Sequence, residues 1–409
     1  MPDQTSSGPV RTRERVLAPD LARGLALLGI ALANCVVYVS GREVGPLLRP
    51  VDGTTADRAV DTVVGLFVDN RAFPMFTMLF AYGFVMILRR QAAAGVPWPQ
   101  ARSVLLRRSA WLAAFGAAHM LLLFFGDILL TYGLLGAALV FALRWSDRVL
   151  VLVGAASLVV FVGLGALDGL GGELASLGGQ PTSQTFLGDL GLRLLTFVGT
   201  VLGAPMYVIG FAPAAVVGVL LARRGVLEDP TQHLPLLRRL SAGLVVSVLG
   251  ALPLVLMATQ VIDYGPVTSA LAGMLHGGTG LVGAAAFIGL VGWFVGARQQ
   301  RAARAGRDLP ARPRGPVGAL AAVGERSLTC YLLQSVMFVP LLSPWALGLA
   351  DGAGTAPVSA VAVGVYLVTL VVAVALDRAG RPGPAEQLLR RLVYGSRTSA
   401  APAAGVPAP

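Results

Sequence analysis

Residues 107–136, RRSAWLAAFGAAHMLLLFFGDILLTYGLLG, decide the fold. They read as one apolar helix, a tight break at Gly126–Asp127, and a second apolar helix that returns beside the first. His119 and Asp127 stand among side chains that otherwise only leave water. An ionisable group at membrane depth is costly to desolvate, so it marks a functional site by default.

Composition carries the same reading along the chain. A content of 55% hydrophobic and 13% charged residues, with mean hydropathy +0.73, excludes a pair of soluble domains in 409 residues. Apolar runs of about 18 or more residues recur, each long enough for a bilayer core of roughly 30 Å. The expected fold is all-α, a polytopic integral membrane helix bundle of about ten transmembrane helices in a lipid bilayer. The 51 glycines fit, since small residues let membrane helices approach closely. The net charge of +11 comes from Arg alone, because the chain has no Lys. Those arginines fall in short loops, which is an orientation signal and not a nucleic-acid patch. Cys35 and Cys330 lie in apolar segments, too few for a disulfide framework or a zinc site. No motif with metal-ligand spacing, no phosphate-cradling loop and no nucleophile elbow is present. Nor does a cleavage pattern precede the first apolar core, so that span is expected to be its own anchor.

Four regions follow: a cytoplasmic tail at 1–18, a transmembrane domain at 19–378, a cytoplasmic interfacial helix at 379–395 and a disordered Ala/Pro-rich tail at 396–409. The spans are expected near 19–39, 72–88, 109–125, 127–143, 149–167, 193–221, 240–260, 269–296, 324–348 and 357–376. Pro205 and Pro213 predict a kink in the sixth, and 58–70 reads as a short interfacial helix. Alternate loops are Arg-rich: the N-terminal tail, 89–108, 144–148, 223–239, 298–314 and the C-terminal tail. The others, 40–57, 168–190, 261–268 and 349–356, hold few Arg and several acids. The positive-inside rule then places both termini in the cytoplasm. No inverted repeat is evident, which weighs slightly against a transporter.

Few polar groups in the spans can carry chemistry. Asp20, Arg23 and Asn34 fall on one stripe of the first helix, Arg23 to Asn34 being close to three turns, roughly 16 Å. They line a site, or else Asp20 caps, Arg23 snorkels to lipid phosphates and Asn34 bonds a neighbouring helix. His119 beside Asp127 has the arrangement of an oriented general base. The alternative is a helix cap and an inter-helix hydrogen bond. Tyr132 can share that cavity or simply pack. Arg71 either binds a phosphate or marks the interface. Tyr331 and Gln334, one turn apart in the ninth span, line a cavity or stitch helices. Glu325 and Arg326 look like a surface pair, and His276 has no evident partner.

The blocks DLARGLALLGIALAN, FPMFTMLFAYGF, AHMLLLFFGDILLTYGLLG, GERSLTCYLLQS and GPAEQLLRRLVYG run in order from the first span to the C-terminal helix. In them the chain resembles the YeiB-like family of bacterial membrane proteins, domain of unknown function 418. That family is similar, in its first two helices, to a superfamily of transmembrane acyltransferases. The resemblance implies a bacterial cytoplasmic (inner) membrane protein. It also implies a donor-site role for Arg23, which occupies the Arg of an Arg-x10-His pattern. Asn34 stands where some of those enzymes carry the His, and Asn cannot act as a base. His119, oriented by Asp127, is the replacement candidate. On this reading acyl-CoA is the co-substrate, with its phosphates on Arg23, Arg71 or the 89–108 arginines. Asn34 would stabilise an oxyanion, and an envelope glycan or lipid-linked sugar would accept the acyl group. A transporter or flippase for a small anionic or lipid-linked solute, or a non-catalytic envelope-complex subunit, are the alternatives.

Overall fold

The computed structural model describes residues 16–178, 182–310 and 313–395. Most of the expected tail at 1–18 and all of 396–409 lie outside the described residues. The chain is helical throughout, and among the described residues only isolated bridges, Ser40 to Asp351 and Val44 to Pro50, pair as strands do.

The helices are α1 (Leu17–Cys35), α2 (Thr55–Phe67), α3 (Ala72–Ala93), α4 (Trp98–Leu122), α5 (Leu129–Ala142), α6 (Asp147–Leu164), α7 (Ala166–Gly169) and α8 (Gly171–Gly178). They continue as α9 (Phe186–Leu202), α10 (Ala204–Arg223), α11 (Leu234–Ala258), α12 (Pro266–Arg304), α13 (Gly315–Glu325), α14 (Ser327–Leu342), α15 (Thr355–Arg378) and α16 (Pro384–Tyr394). Among the described residues, seven helical segments are long and apolar enough to cross a membrane. These hold α1, α2 with α3, α6, α10, α11, α12 and α15. The other expected spans fall on α4, whose first half carries Arg102, Arg107 and Arg108, and on the shorter apolar helices α5 and α14.

Four boundaries differ from expectation. The short helix expected near 58–70 starts three residues earlier. It is α2, opened by a capping box between Thr54 and Asp57, with Asp57 and Asp61 buried. The sixth span is two helices, because Gly203 and the missing N–H of Pro205 end α9 and start α10. Pro213 stays inside α10. The ninth span divides at Arg326, whose ψ of 34° is not helical. The basic linker begins late, since α12 runs on to Arg304.

Helix α1 packs against α3, α12, α13, α14 and α15. The α4–α5 hairpin closes through small residues. A Cβ on Gly116 would lie 2.0 Å from the Leu130 nitrogen, and one on Gly133 2.4 Å from the Ala113 nitrogen. Only glycine admits that approach.

Loops sort to two ends. At one, Arg89 donates to the Arg223 carbonyl (2.7 Å), Arg223 to the Trp145 carbonyl (2.9 Å) and Arg326 to the Arg381 carbonyl (2.9 Å). At the other, Ser40 donates to Asp351 (2.8 Å), the Ala356 amide to Asp57 (2.8 Å) and Arg193 to the Leu122 carbonyl (2.8 Å). The arginine-rich loops that these contacts join share the first end.

Candidate functional site

A cavity of about 410 Å³ opens at the arginine-rich end. Its mouth holds six arginines, Arg23, Arg90, Arg108, Arg326, Arg381 and Arg390, against four carboxylates, Asp20, Glu228, Glu325 and Glu386. Its walls turn apolar inward, with Phe76, Leu79, Phe80, Leu112 and Leu129, and it ends at Tyr132 and Tyr331. Stacked rings stiffen this inner wall: Tyr132 lies 5.1 Å from Phe80 and 5.9 Å from Phe76 between centroids. A charged mouth and an apolar throat suit an elongated amphiphile.

Most charges at the mouth have partners. Arg23 donates to Asp20 (2.8 Å) and to the Leu79 carbonyl (3.3 Å), so the two residues expected on one face of α1 pair in the cavity wall. Glu228 takes Arg89 (3.1 Å) and the Tyr82 hydroxyl (3.2 Å). Arg326 is buried, not a surface residue. Its guanidinium donates to the Ala322 and Arg381 carbonyls and to Asp377, and Glu325 lies 3.7 Å away. The reason is the break before α14, which turns the side chain into the bundle. Glu386 on α16 accepts the Leu328 and Thr329 amides (2.7 and 3.1 Å), thereby capping α14 across 58 residues of sequence. The C-terminal helix is therefore a wall of the cavity, with Leu389 and Val393 buried.

His119 and Asp127 meet as expected: Nδ1 lies 2.8 Å from Oδ1, both residues buried. Asp127 precedes α5 and its other oxygen accepts the Leu130 amide (2.7 Å). The imidazole Nε2 is buried without a hydrogen-bond partner. The pair does not line the cavity. Tyr331 stands between, its hydroxyl donating to Asp127 at 3.5 Å and its ring centroid 5.0 Å from that of His119. Tyr132 lines the cavity end and bonds Thr77 (3.0 Å) and the Phe73 carbonyl (3.2 Å).

Three expected site residues lie elsewhere. Asn34 is half-buried near the end of α1 and is not among the residues that line the cavity. Gln334 is buried one turn beyond Tyr331, also off the lining, with Nε2 unbonded. Arg71 is buried and is not among the residues that line the cavity. It donates to the Ser247 hydroxyl (3.0 Å), the Ser247 carbonyl (2.9 Å) and the Gly65 carbonyl (3.3 Å), and its Nη1 lies 2.7 Å from His276 Nε2.

That cluster holds polar groups that sequence reasoning missed. His276 Nδ1 lies 3.1 Å from Asn70, and Asn70 donates to Asp168. Beside it, buried Arg49 pairs with Asp69 (2.6 Å) and Asp61 (3.3 Å). These residues are far apart in sequence, and no local pattern joins them. Arg108, one of the 89–108 arginines expected in a loop, lies inside α4. Arg108 and Leu112 are one turn apart on α4 and both line the cavity. Among the described residues no three His, Cys, Asp or Glu side chains group as a metal site would need.

Residues 221–396 match the family described as "Protein of unknown function (DUF418)". That stretch takes in Arg326, Tyr331, Gln334 and Glu386 and leaves His119 and Asp127 outside it. The chain is similar to the uncharacterized protein YeiB of Escherichia coli (strain K12), 33% identical over 161 residues, 39% of each chain. It is similar to the uncharacterized protein YxaH of Bacillus subtilis (strain 168), 30% identical over 143 residues, 33% of this chain and 34% of that one. An uncharacterized 39.9 kDa protein from the amylase 3' region of Bacillus acidopullulyticus is 32% identical over 113 residues, 28% of this chain and 30% of that one. The matches thus cover well under half of each relative's length. No solved structure matches. Over residues 221–396 the chain is thus similar to the DUF418 family, and over parts of its length to these uncharacterized bacterial relatives.

Proposed function

We propose that the protein is a membrane-bound acyltransferase of the bacterial inner membrane, with its arginine-rich end in the cytoplasm by the positive-inside rule. Acyl-CoA enters the cavity from that end, phosphates at the arginines and acyl group toward Tyr331. An envelope glycan or lipid-linked sugar accepts the acyl group. His119 Nε2 takes the acceptor hydroxyl proton as the oxygen attacks the thioester carbonyl. The coenzyme A sulfur leaves and receives a proton. Asp127 holds Nδ1–H and steadies the imidazolium. A rotation of Tyr331 completes the route, since its ring now separates the imidazole from the cavity.

One observation supports this above the rest. An imidazole is anchored at Nδ1 by a buried carboxylate and left unbonded at Nε2, one side chain from an amphiphile-shaped cavity. The test is transfer of radiolabelled acetyl-CoA by purified protein in lipid, with His119→Ala and Arg23→Ala alongside. Label should pass to a lipid or glycan fraction with wild type, and transfer should be lost in His119→Ala. The reading fails if wild-type protein neither binds nor transfers the label.

A transporter for an anionic or lipid-linked solute is the second reading. It is supported by the buried Arg71–His276–Asn70–Asp168 cluster, since chains of ionisable groups at membrane depth relay protons in pumps.

A further inference from the structure

Arg108 differs from the other cations of the cavity. It is half-buried on α4, and its Nε is sealed from solvent without a hydrogen-bond partner. Among the described residues no carboxylate lies within ion-pair distance of it. The nearest acid on the cavity wall by role, Glu386, is bound to the α14 amides and Thr329. Asp20 is on Arg23, and Glu228 is on Arg89. Its sequence neighbour Arg107 is exposed to solvent on another face of the same helix. A guanidinium nitrogen sealed from water without a bonding partner is costly, and an anion bound at that guanidinium offsets the cost.

We propose that Arg108 is the anchor for a phosphate group of an elongated amphiphilic ligand. A guanidinium fork matches phosphate oxygens in a bidentate geometry that ammonium cannot reproduce. From Arg108 to His119 is eleven residues of α4, roughly 16 Å. Between them the cavity is lined by Leu112, Phe80 and Leu129. The ligand therefore carries phosphate at one end, an apolar stem, and its reacting end near Tyr331. A phosphate of a coenzyme A thioester and a phospholipid headgroup share this chemistry. The inference deepens the reading above by assigning the held group, and it rests on the cavity being the donor's place.

The experiment measures binding to purified protein in nanodiscs with three probes: acetyl-CoA, inorganic pyrophosphate and a phosphatidylglycerol titrated into a neutral bilayer. Arg108→Gln should weaken whichever probe binds by about tenfold to a hundredfold, the size expected for a lost charge-assisted bond. Arg107→Gln should bind as wild type does. Phenylglyoxal labelling of wild-type protein gives a readout that needs no variant to fold. The bound probe should protect Arg108 and leave Arg107 reactive, as read by peptide mass spectrometry. Protection by the soluble probes assigns a coenzyme-like ligand, and protection by phosphatidylglycerol alone assigns a lipid. Unprotected Arg108, or equal losses in the two variants, overturns the proposal. His119→Ala should still bind. If no acyl transfer occurs but Arg108-dependent binding persists, the transferase reading fails and the anchor stands. If transfer proceeds without dependence on Arg108, the anchor alone fails.

Discussion

Asp127 holds the imidazole of His119 with one carboxylate oxygen, at 2.8 Å, and the backbone amide of Leu130 with the other, at 2.7 Å. Orientation of the imidazole and the start of α5 thus depend on a single side chain. Asp127→Asn keeps an acceptor for the amide and gives up the charge that steadies an imidazolium. Transfer should fall by about 10²- to 10⁴-fold with little change in thermal unfolding. Asp127→Ala should lower stability as well, by about 0.5–2 kcal/mol for the lost cap. Activity assays and melting in detergent separate the two effects.

Gly116 tests the hairpin that presents this pair. A methyl group there meets the Leu130 nitrogen at 2.0 Å and Asp127 Oδ2 at 2.6 Å. Gly116→Ala should cost about 1–3 kcal/mol as overpacking, and it should push α5 away from His119. A wild-type melting temperature would contradict the close approach.

Arg49 is buried between Asp61 and Asp69. Arg49→Ala strands two carboxylates and should destabilise by about 3–5 kcal/mol. Acyl-CoA binding per folded molecule should stay as in wild type, because Arg49 is remote from the cavity. Yield of folded protein and ligand binding, measured on the same preparation, give the check.

Glu386 ties α16 to the start of α14. Glu386→Ala should free α16 and raise its protease sensitivity, with a cost of about 0.5–2 kcal/mol. Glu386→Gln should be milder, since its amide oxygen still accepts. Limited proteolysis followed by mass spectrometry reads out whether the helix has come loose.

How much of this was legible follows from sequence distance. His119 and Asp127 are eight residues apart around a short turn, so their meeting could be read from the hairpin. Asp20 and Arg23 share a helix face as read, and the structure adds that they pair. Arg71 and His276 are 205 residues apart, and nothing local says that one guanidinium fills the other's surroundings. Arg326 looked like surface because Glu325 adjoins it. Its actual acceptors are carbonyls on Ala322 and Arg381 and the carboxylate of Asp377, the last two brought in by tertiary packing. Periodicity placed the apolar helices, while the breaks at Gly203 and Arg326 came from backbone geometry that hydropathy does not see. The inward turn of Arg108 could have been found from its one-turn spacing to Leu112.

One wall of the cavity is α16, which comes after every other described helix. Until Pro384–Tyr394 has emerged and Glu386 has docked on the head of α14, the arginine mouth stands open on one side. A nascent chain already threaded into the bilayer therefore lacks a finished binding recess. That side of the cavity closes late in assembly, after the other described helices have been made.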